Sequence, residues 1–279
     1  MTRRGVPARR LSASAAIVLA CAWPAGCARA LREPPSLADL GAGGLTPSPA
    51  MVPPLLQRAE VLYASRNPVR VREAGQVWLE AARADATRIE GLIGAARSYV
   101  WLVDHEPVAA DREKYATLAV QSAQWCERVK PDDPGCAYWL GAALGVQARE
   151  RRSTALDALP LIEAAFKKAA GVDPEMEEGG PDRALALLYL RAPGWPSGPG
   201  DPDLGLAHAR RAVEIKPDHP PNQMALAEAL VATGDAEAGR AMYRRALEAA
   251  RQREAAGDPD APDWIREADG ALADKTNGS

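Results

Sequence analysis

Aromatic residues are scarce in this 279-residue chain, at 5%, with a single phenylalanine among them. Valine and isoleucine runs of strand length are almost absent. Both shortages weigh against a sandwich or barrel, because pleated, half-buried surfaces are filled by β-branched and aromatic side chains. His105, His208 and His219 are the only histidines, and none sits in a metal spacing such as H-E-x-x-H or C-x-x-C. No local motif joins a nucleophile, a base and an oxyanion donor, so the chain reads as a non-enzyme without cofactor or metal. Lys and Arg number 34 against 37 Asp and Glu, which leaves no basic face for a nucleic acid. What the chain does have is alanine throughout and 47% hydrophobic residues. Alanine is the best helix former and lets helices approach closely, so the expectation is an all-α protein of stacked helices.

The first residues stand apart from any fold. MTRRGVPARR carries four arginines and no acid, LSASAAIVLACAW is apolar, and PAGC puts small residues before Cys27. The apolar run is shorter than the ~20 residues a membrane helix needs. The stretch resembles a bacterial lipoprotein signal over residues 1–26, with Cys27 as the lipidated N-terminus and Cys21 as the rival site. Removing residues 1–26 shifts the net charge from −3 to −7, so membrane attachment would rest on lipid rather than on surface charge. Ala28 after the cysteine favours the outer membrane. Residues 27–53, rich in Pro, Gly and Ala, read as a flexible tether, although Leu37 and Leu40 would also allow packing on the first helix. Residues 54–275 read as the folded domain and 276–279 as a tail.

Two cysteines remain, Cys126 and Cys136, in QWCERVKPDDPGCAYW. An exported chain permits a disulfide across the KPDDP turn, and two free buried thiols are the other reading.

The helices come in pairs, and the second of each pair repeats one spacing: a small residue, a ring four on, a small residue three further. Ala74, Trp78 and Ala81 fit it, as do Ile162, Phe166 and Ala169, and Gly239, Tyr243 and Ala246. Ala119, Ala123 and Cys126, with Gly205, Ala209 and Ala212, are weaker copies. Residues four and three apart share one stripe of a helix, so the small members admit a partner helix and the ring fills the gap beside it. The spacing resembles the A-x-x-x-F half of the tetratricopeptide pattern, and Leu140–Gly141 and Leu226–Ala227 resemble the other half. Each pair leaves an apolar face that only a stacked neighbour can cover. The expected architecture is a tetratricopeptide-like α-α solenoid of about five helix pairs, closed by a capping helix in APDWIREADGALADK.

The last small positions, Ala81, Cys126, Ala169, Ala212 and Ala246, are 45, 43, 43 and 34 residues apart, against a standard period of about 34. The extra residues are expected between the two helices of a unit, in VDHEPVAADREK, VQARERRSTALDALP and RAPGWPSGPGDPD. In the last of these, prolines at every third position end a helix near Arg191 and suit a polyproline II turn or two. Asp201 is placed to cap the next helix, with Pro202 in its first position.

LYLRAPGWPSGPGDPDLGLAHARRAVEIKPDHPPNQMALAEAL, with CERVKPDDPGCAYWLGAALG one unit earlier, resembles the T-component proteins associated with tripartite ATP-independent periplasmic (TRAP) transporters. The resemblance implies an anchored, extracytoplasmic helical scaffold. It further implies a protein partner, a periplasmic solute-binding protein, and delivery of a small organic or hydrophobic ligand. Self-association is left open, as is a general envelope-assembly role without transport.

Arrays of this kind bind through the concave face built by their first helices. Counting from the L-G positions puts Tyr63, Tyr99, Tyr138, Met224 and Glu228 there, with core packing as the alternative for each. Trp101 and His105 lie one turn apart and share that cleft or cover the turn after them. Trp195 is either a cleft-rim aromatic or a plug that pins its loop to the helices, and the plug is favoured. The acidic run DPEMEEGGPD reads as a solvated loop between units.

Overall fold

A computed structural model describes residues 29–41 and 47–274. Cys21, Cys27, the signal segment and the 276–279 tail lie outside them. Eleven α-helices follow one another among the described residues: α1 (Val52–Ala64), α2 (Pro68–Ala84), α3 (Glu90–His105), α4 (Ala109–Val129), α5 (Pro134–Glu150), α6 (Ala155–Val172), α7 (Met176–Arg191), α8 (Pro202–Ile215), α9 (Pro220–Ala232), α10 (Ala236–Ala255) and α11 (Ala261–Ala273). They form five hairpins and a final single helix. The described residues contain no strand, only an isolated bridge between Gly194 and Gly200.

Each hairpin packs on the next in serial order, and the repeated stripe is what they share. All fifteen residues of the small–ring–small positions are buried. Glycines on the first helices make room for the rings. A Cβ on Gly141 would lie 2.8 Å from the Phe166 ring, and one on Gly94 would lie 2.3 Å from Trp78. Starts are set by capping: Asn67, Asp133 and Asp201 each accept two backbone N–H groups ahead of a proline at the first helical position.

The enlarged units depart from expectation. In the second and third units the extra residues lengthen the helices, and the connections shrink to residues 106–108 and 151–154. Their Ala-, Arg- and Glu-rich sequences favour helix right up to the turn. Only 192–201, with its four prolines flanking and within it, is a long connection, because proline in a helix interior removes a hydrogen bond and clashes with the preceding turn. That loop is not polyproline II. It folds back on itself, with Gly200 N–H donating to Pro193 O at 2.9 Å and Asp201 N–H to Tyr189 O at 2.9 Å.

Because paired helices joined by short loops run antiparallel, the loops inside pairs line one edge of the array and the turns between pairs line the other. Cys126 and Cys136 flank a turn of the second kind and are joined by a disulfide, with Cα atoms 5.2 Å apart. Residues 29–41, within the stretch read as a tether, run across the second helices from one edge to the other. The Ala30 N–H donates to Asp157 Oδ2 of α6 at 2.7 Å, Trp125 Nε1 of α4 donates to Pro35 O at 2.9 Å, and Arg83 of α2 donates to Leu40 O at 3.0 Å. Leu40 is fully buried there.

Candidate functional site

The array curls until its ends meet. Arg66, in the loop of the first hairpin, makes a two-pronged bond to Asp260 just ahead of α11, Nε to Oδ1 at 2.5 Å and Nη2 to Oδ2 at 2.7 Å. One turn further, His105 Nε2 of α3 lies 2.7 Å from Asp263 Oδ2 of α11. The capping helix therefore also clasps the first two units. Between the clasp and the first helices lies a cavity of about 660 Å³, with Tyr63, Trp101, His105, Tyr138, Trp139 and Trp264 among its lining residues.

One wall of this cavity is aromatic and the other charged. Trp101 stacks on His105 with ring centroids 3.6 Å apart, Tyr138 meets Trp139 edge-on at 5.2 Å, and Trp264 meets His219 edge-on at 5.4 Å. The Tyr63 ring carries the guanidinium of Arg66 at 4.1 Å and that of Arg97 at 4.2 Å. Burial pushes its hydroxyl up to about 12, against the opposing pull of those two cations. On the charged side, Glu177, Glu178 and Gly179 interrupt α7 with left-handed backbone, φ 48°, 57° and 84°. Non-glycine residues rarely adopt that conformation. It turns both glutamates into the cavity wall. Arg253 Nη2 then reaches Glu178 Oε2 at 3.2 Å, and Asn222 Nδ2 donates to Glu178 O at 2.8 Å.

His219 belongs to the same wall and is only 7% exposed. Its Nδ1 makes no hydrogen bond, since Glu178 Oε2, 2.9 Å away, is out of line for one. Burial holds the imidazole down at about 3, and the cations of Arg183, Arg253 and Lys216 add to the effect.

A second concavity of about 610 Å³ lies where α5 and α7 splay apart over α6. Leu156, Leu159, Ile162, Phe166, Leu187 and Leu188 make it apolar, and Arg149 and Arg191 stand among its lining residues. Arg149 pairs with Asp104 of the first cavity at 2.5 Å, so the two are neighbours.

The sequence-predicted residues divide. Tyr63, Trp101, His105 and Tyr138 meet in the first cavity. Tyr99 does not: its ring turns into the core against Gly75, where a Cβ would lie 2.8 Å away, and it stacks on Tyr115 at 6.0 Å. Met224 is buried too, in a cluster covered by Trp264, Ile265 and Leu272 of α11. Glu228 lines neither cavity and pairs with Arg191 at 2.7 Å. Trp195 lines neither cavity and plugs nothing, being 90% exposed. Its loop is pinned by backbone hydrogen bonds and by the close approach of Gly198 and Gly200 to Pro193. Glu177, Glu178, His219 and Trp264 are cavity residues that carried no site signal in the sequence. Of DPEMEEGGPD, Glu177 and Glu178 enter the cavity wall, while Pro174 and Glu175 form an exposed turn between units.

The family profile described as TRAP transporter T-component matches residues 68–262, most of the chain and every hairpin save the first helix of the first. The chain belongs to the TRAP transporter T-component family. A T-component is an accessory part of TRAP transport and associates with the bacterial envelope. No helix among the described residues is long and apolar enough to cross a membrane. The search of curated proteins found no match. Among solved structures, this T-component chain is similar to a thermophilic TPR protein from Thermus thermophilus. The two share 20% identity over 78% of this chain and 98% of that one, with a TM-score of 0.58. It also aligns with the MamA protein at 15% identity, over 73% and 94% of the two chains, with a TM-score of 0.45. The first likeness bears on the fold alone, which is a tetratricopeptide-like solenoid.

Proposed function

We infer that this T-component is a lipid-anchored scaffold of the cell envelope, attached through Cys27 and facing the periplasm. It engages a protein partner, a periplasmic solute-binding protein of a TRAP system, across the mouth of the clasped cavity. The observation that carries the reading is that cavity's wall, where aromatic side chains and opposed charges from all five hairpins and the capping helix converge on one concave surface. Rigid aromatic anchors beside charged groups are what specific protein recognition uses. The test is direct binding between the purified chain and the TRAP solute-binding proteins of the same genome. Trp101→Ala and, at a carboxylate of α11 that also lines the cavity, Glu267→Gln are each expected to abolish binding, with the thermal midpoint of Glu267→Gln unchanged. Undiminished binding by both would overturn the reading.

The apolar groove over α6 favours a second reading, a carrier for a hydrophobic ligand. Native mass spectrometry of the purified chain is then expected to show a co-purified molecule that Leu159→Asp expels.

A further inference from the structure

Monomeric proteins seldom leave large apolar side chains aligned on one surface without a use for them. Eight large apolar residues are exposed among the described residues, and six of them, Val61, Val69, Val108, Leu156, Trp195 and Leu204, sit on the edge formed by the loops inside hairpins. The alignment follows the repeat. Val69, Leu156 and Leu204 are the second or third residues of α2, α6 and α8, and Val108 caps α4, so successive units present one apolar residue each at the start of the second helix. Trp195 projects from the long loop of the fourth unit, and that loop touches α6, a Cβ on Gly198 lying 2.9 Å from Leu159.

The chain enters the fold at this same edge. Ala30 is buried, and its N–H is held by Asp157, the residue after Leu156. An extended chain spans at most about 3.6 Å per residue, so a lipid on Cys27 can stand no more than about 11 Å from Ala30. A lipid so short a distance away brings the first turn of α6 to the headgroups.

We propose that the edge carrying Val108, Leu156, Trp195 and Leu204 is the membrane-facing surface of this protein and lies on the phospholipid headgroups, with Trp195 inserted among them. The inference rests on the anchoring reading above. Tryptophan suits that position because its body is apolar and its N–H still finds water or headgroup oxygen. A lipid on Cys27 sets how far the chain can stand from the bilayer but leaves it free to rotate, and a second, apolar contact fixes its orientation. The apolar groove over α6, lined by Leu156 and Pro193, then opens beside the bilayer, and the inter-unit turns point away from it.

The experiment couples the chain beginning at Cys27 through that thiol to a maleimide phospholipid in vesicles of phosphatidylethanolamine and phosphatidylglycerol. Attachment then no longer depends on natural acylation. Tryptophan fluorescence is quenched with lipids carrying a nitroxide at headgroup depth. Trp195→Phe is expected to abolish the lipid-dependent loss of emission. In the Trp195→Phe background, Leu156→Trp is expected to restore it and Val172→Trp is not, although Val172 is as exposed as Leu156 (61% against 62%) and lies on the other edge. Equal quenching at positions 156 and 172, or an undiminished loss in Trp195→Phe, would overturn the assignment. Mass spectrometry of Cys27 from native membranes reads the anchoring separately. An unacylated Cys27 with the expected quenching pattern would remove the anchor and leave the edge assignment standing.

Discussion

His219 offers a direct measure of how dry the clasped cavity wall is. Its imidazole is held near 3 in the folded protein, whereas an unfolded histidine titrates near 6.5. Between these values the unfolded chain binds a proton that the folded one refuses. Stability therefore rises with pH through this window and falls as pH drops below about 6.5, down to about 3. Each unit below the unfolded value costs about 1.4 kcal/mol. The side chain is 9% exposed, so solvent offers little relief. Acidification from about pH 7 to about pH 5 should then cost about 2 kcal/mol from this residue alone. Carboxylates titrate in the same range, so the comparison must be with a variant. His219→Gln keeps size and polarity and removes the titration. Urea unfolding of both proteins at the two pH values should show a drop smaller by about 2 kcal/mol in the variant. Equal drops, or a proton resonance of His219 that titrates near its ordinary value, would refute a buried neutral imidazole.

Asp260→Asn, which breaks the two-pronged bond to Arg66, should destabilise the fold by about 1.5–3 kcal/mol in urea unfolding, since both side chains are largely withdrawn from water. A native, unreduced sample should show no reactive thiol at Cys126 or Cys136, and reduction should lower stability by about 3 kcal/mol, the chain-entropy value for so short a loop. Gly141→Ala should cost about 1–3 kcal/mol through displacement of the Phe166 ring, measured in the same way.

The parts of the structure that were legible are those set by local periodicity. A small–ring–small stripe needs no knowledge of distant residues, because the packing it predicts is with the next helix in line. The Asp201–Pro202 start of α8 and the end of α7 at Arg191 were readable for the same reason, as capping and proline stereochemistry act within one turn. The enlarged units depart from expectation because the period reports added residues without saying whether they extend a helix or a loop. At the site, Tyr63, Trp101, His105 and Tyr138 follow from register. Tyr99 fails because a glycine on a neighbouring helix offers its ring a better place, and Met224 fails because α11 covers it. Glu177 and Glu178 gave no signal, since nothing in an acidic run announces left-handed backbone at non-glycine residues.

The clasp changes what kind of object the solenoid is. In an open array each unit touches only its neighbours, so stability is a sum of unit and interface terms and the two ends fray independently. Here Arg66 and His105 of the first two units bond to Asp260 and Asp263, 194 and 158 residues away in sequence. Opening either end must break these bonds, so the terminal units share one cooperative transition instead of fraying apart. The same bonds close the cavity, and His105, Asp260 and Asp263, which make them, are also residues of its wall. A partner gripping that wall would act on the clasp itself, favouring whichever state, open or shut, gives it better contacts. Binding at the mouth and the overall stability of the array are in this way a single coupled property, because the bonds that close the ring are within reach of whatever fills it.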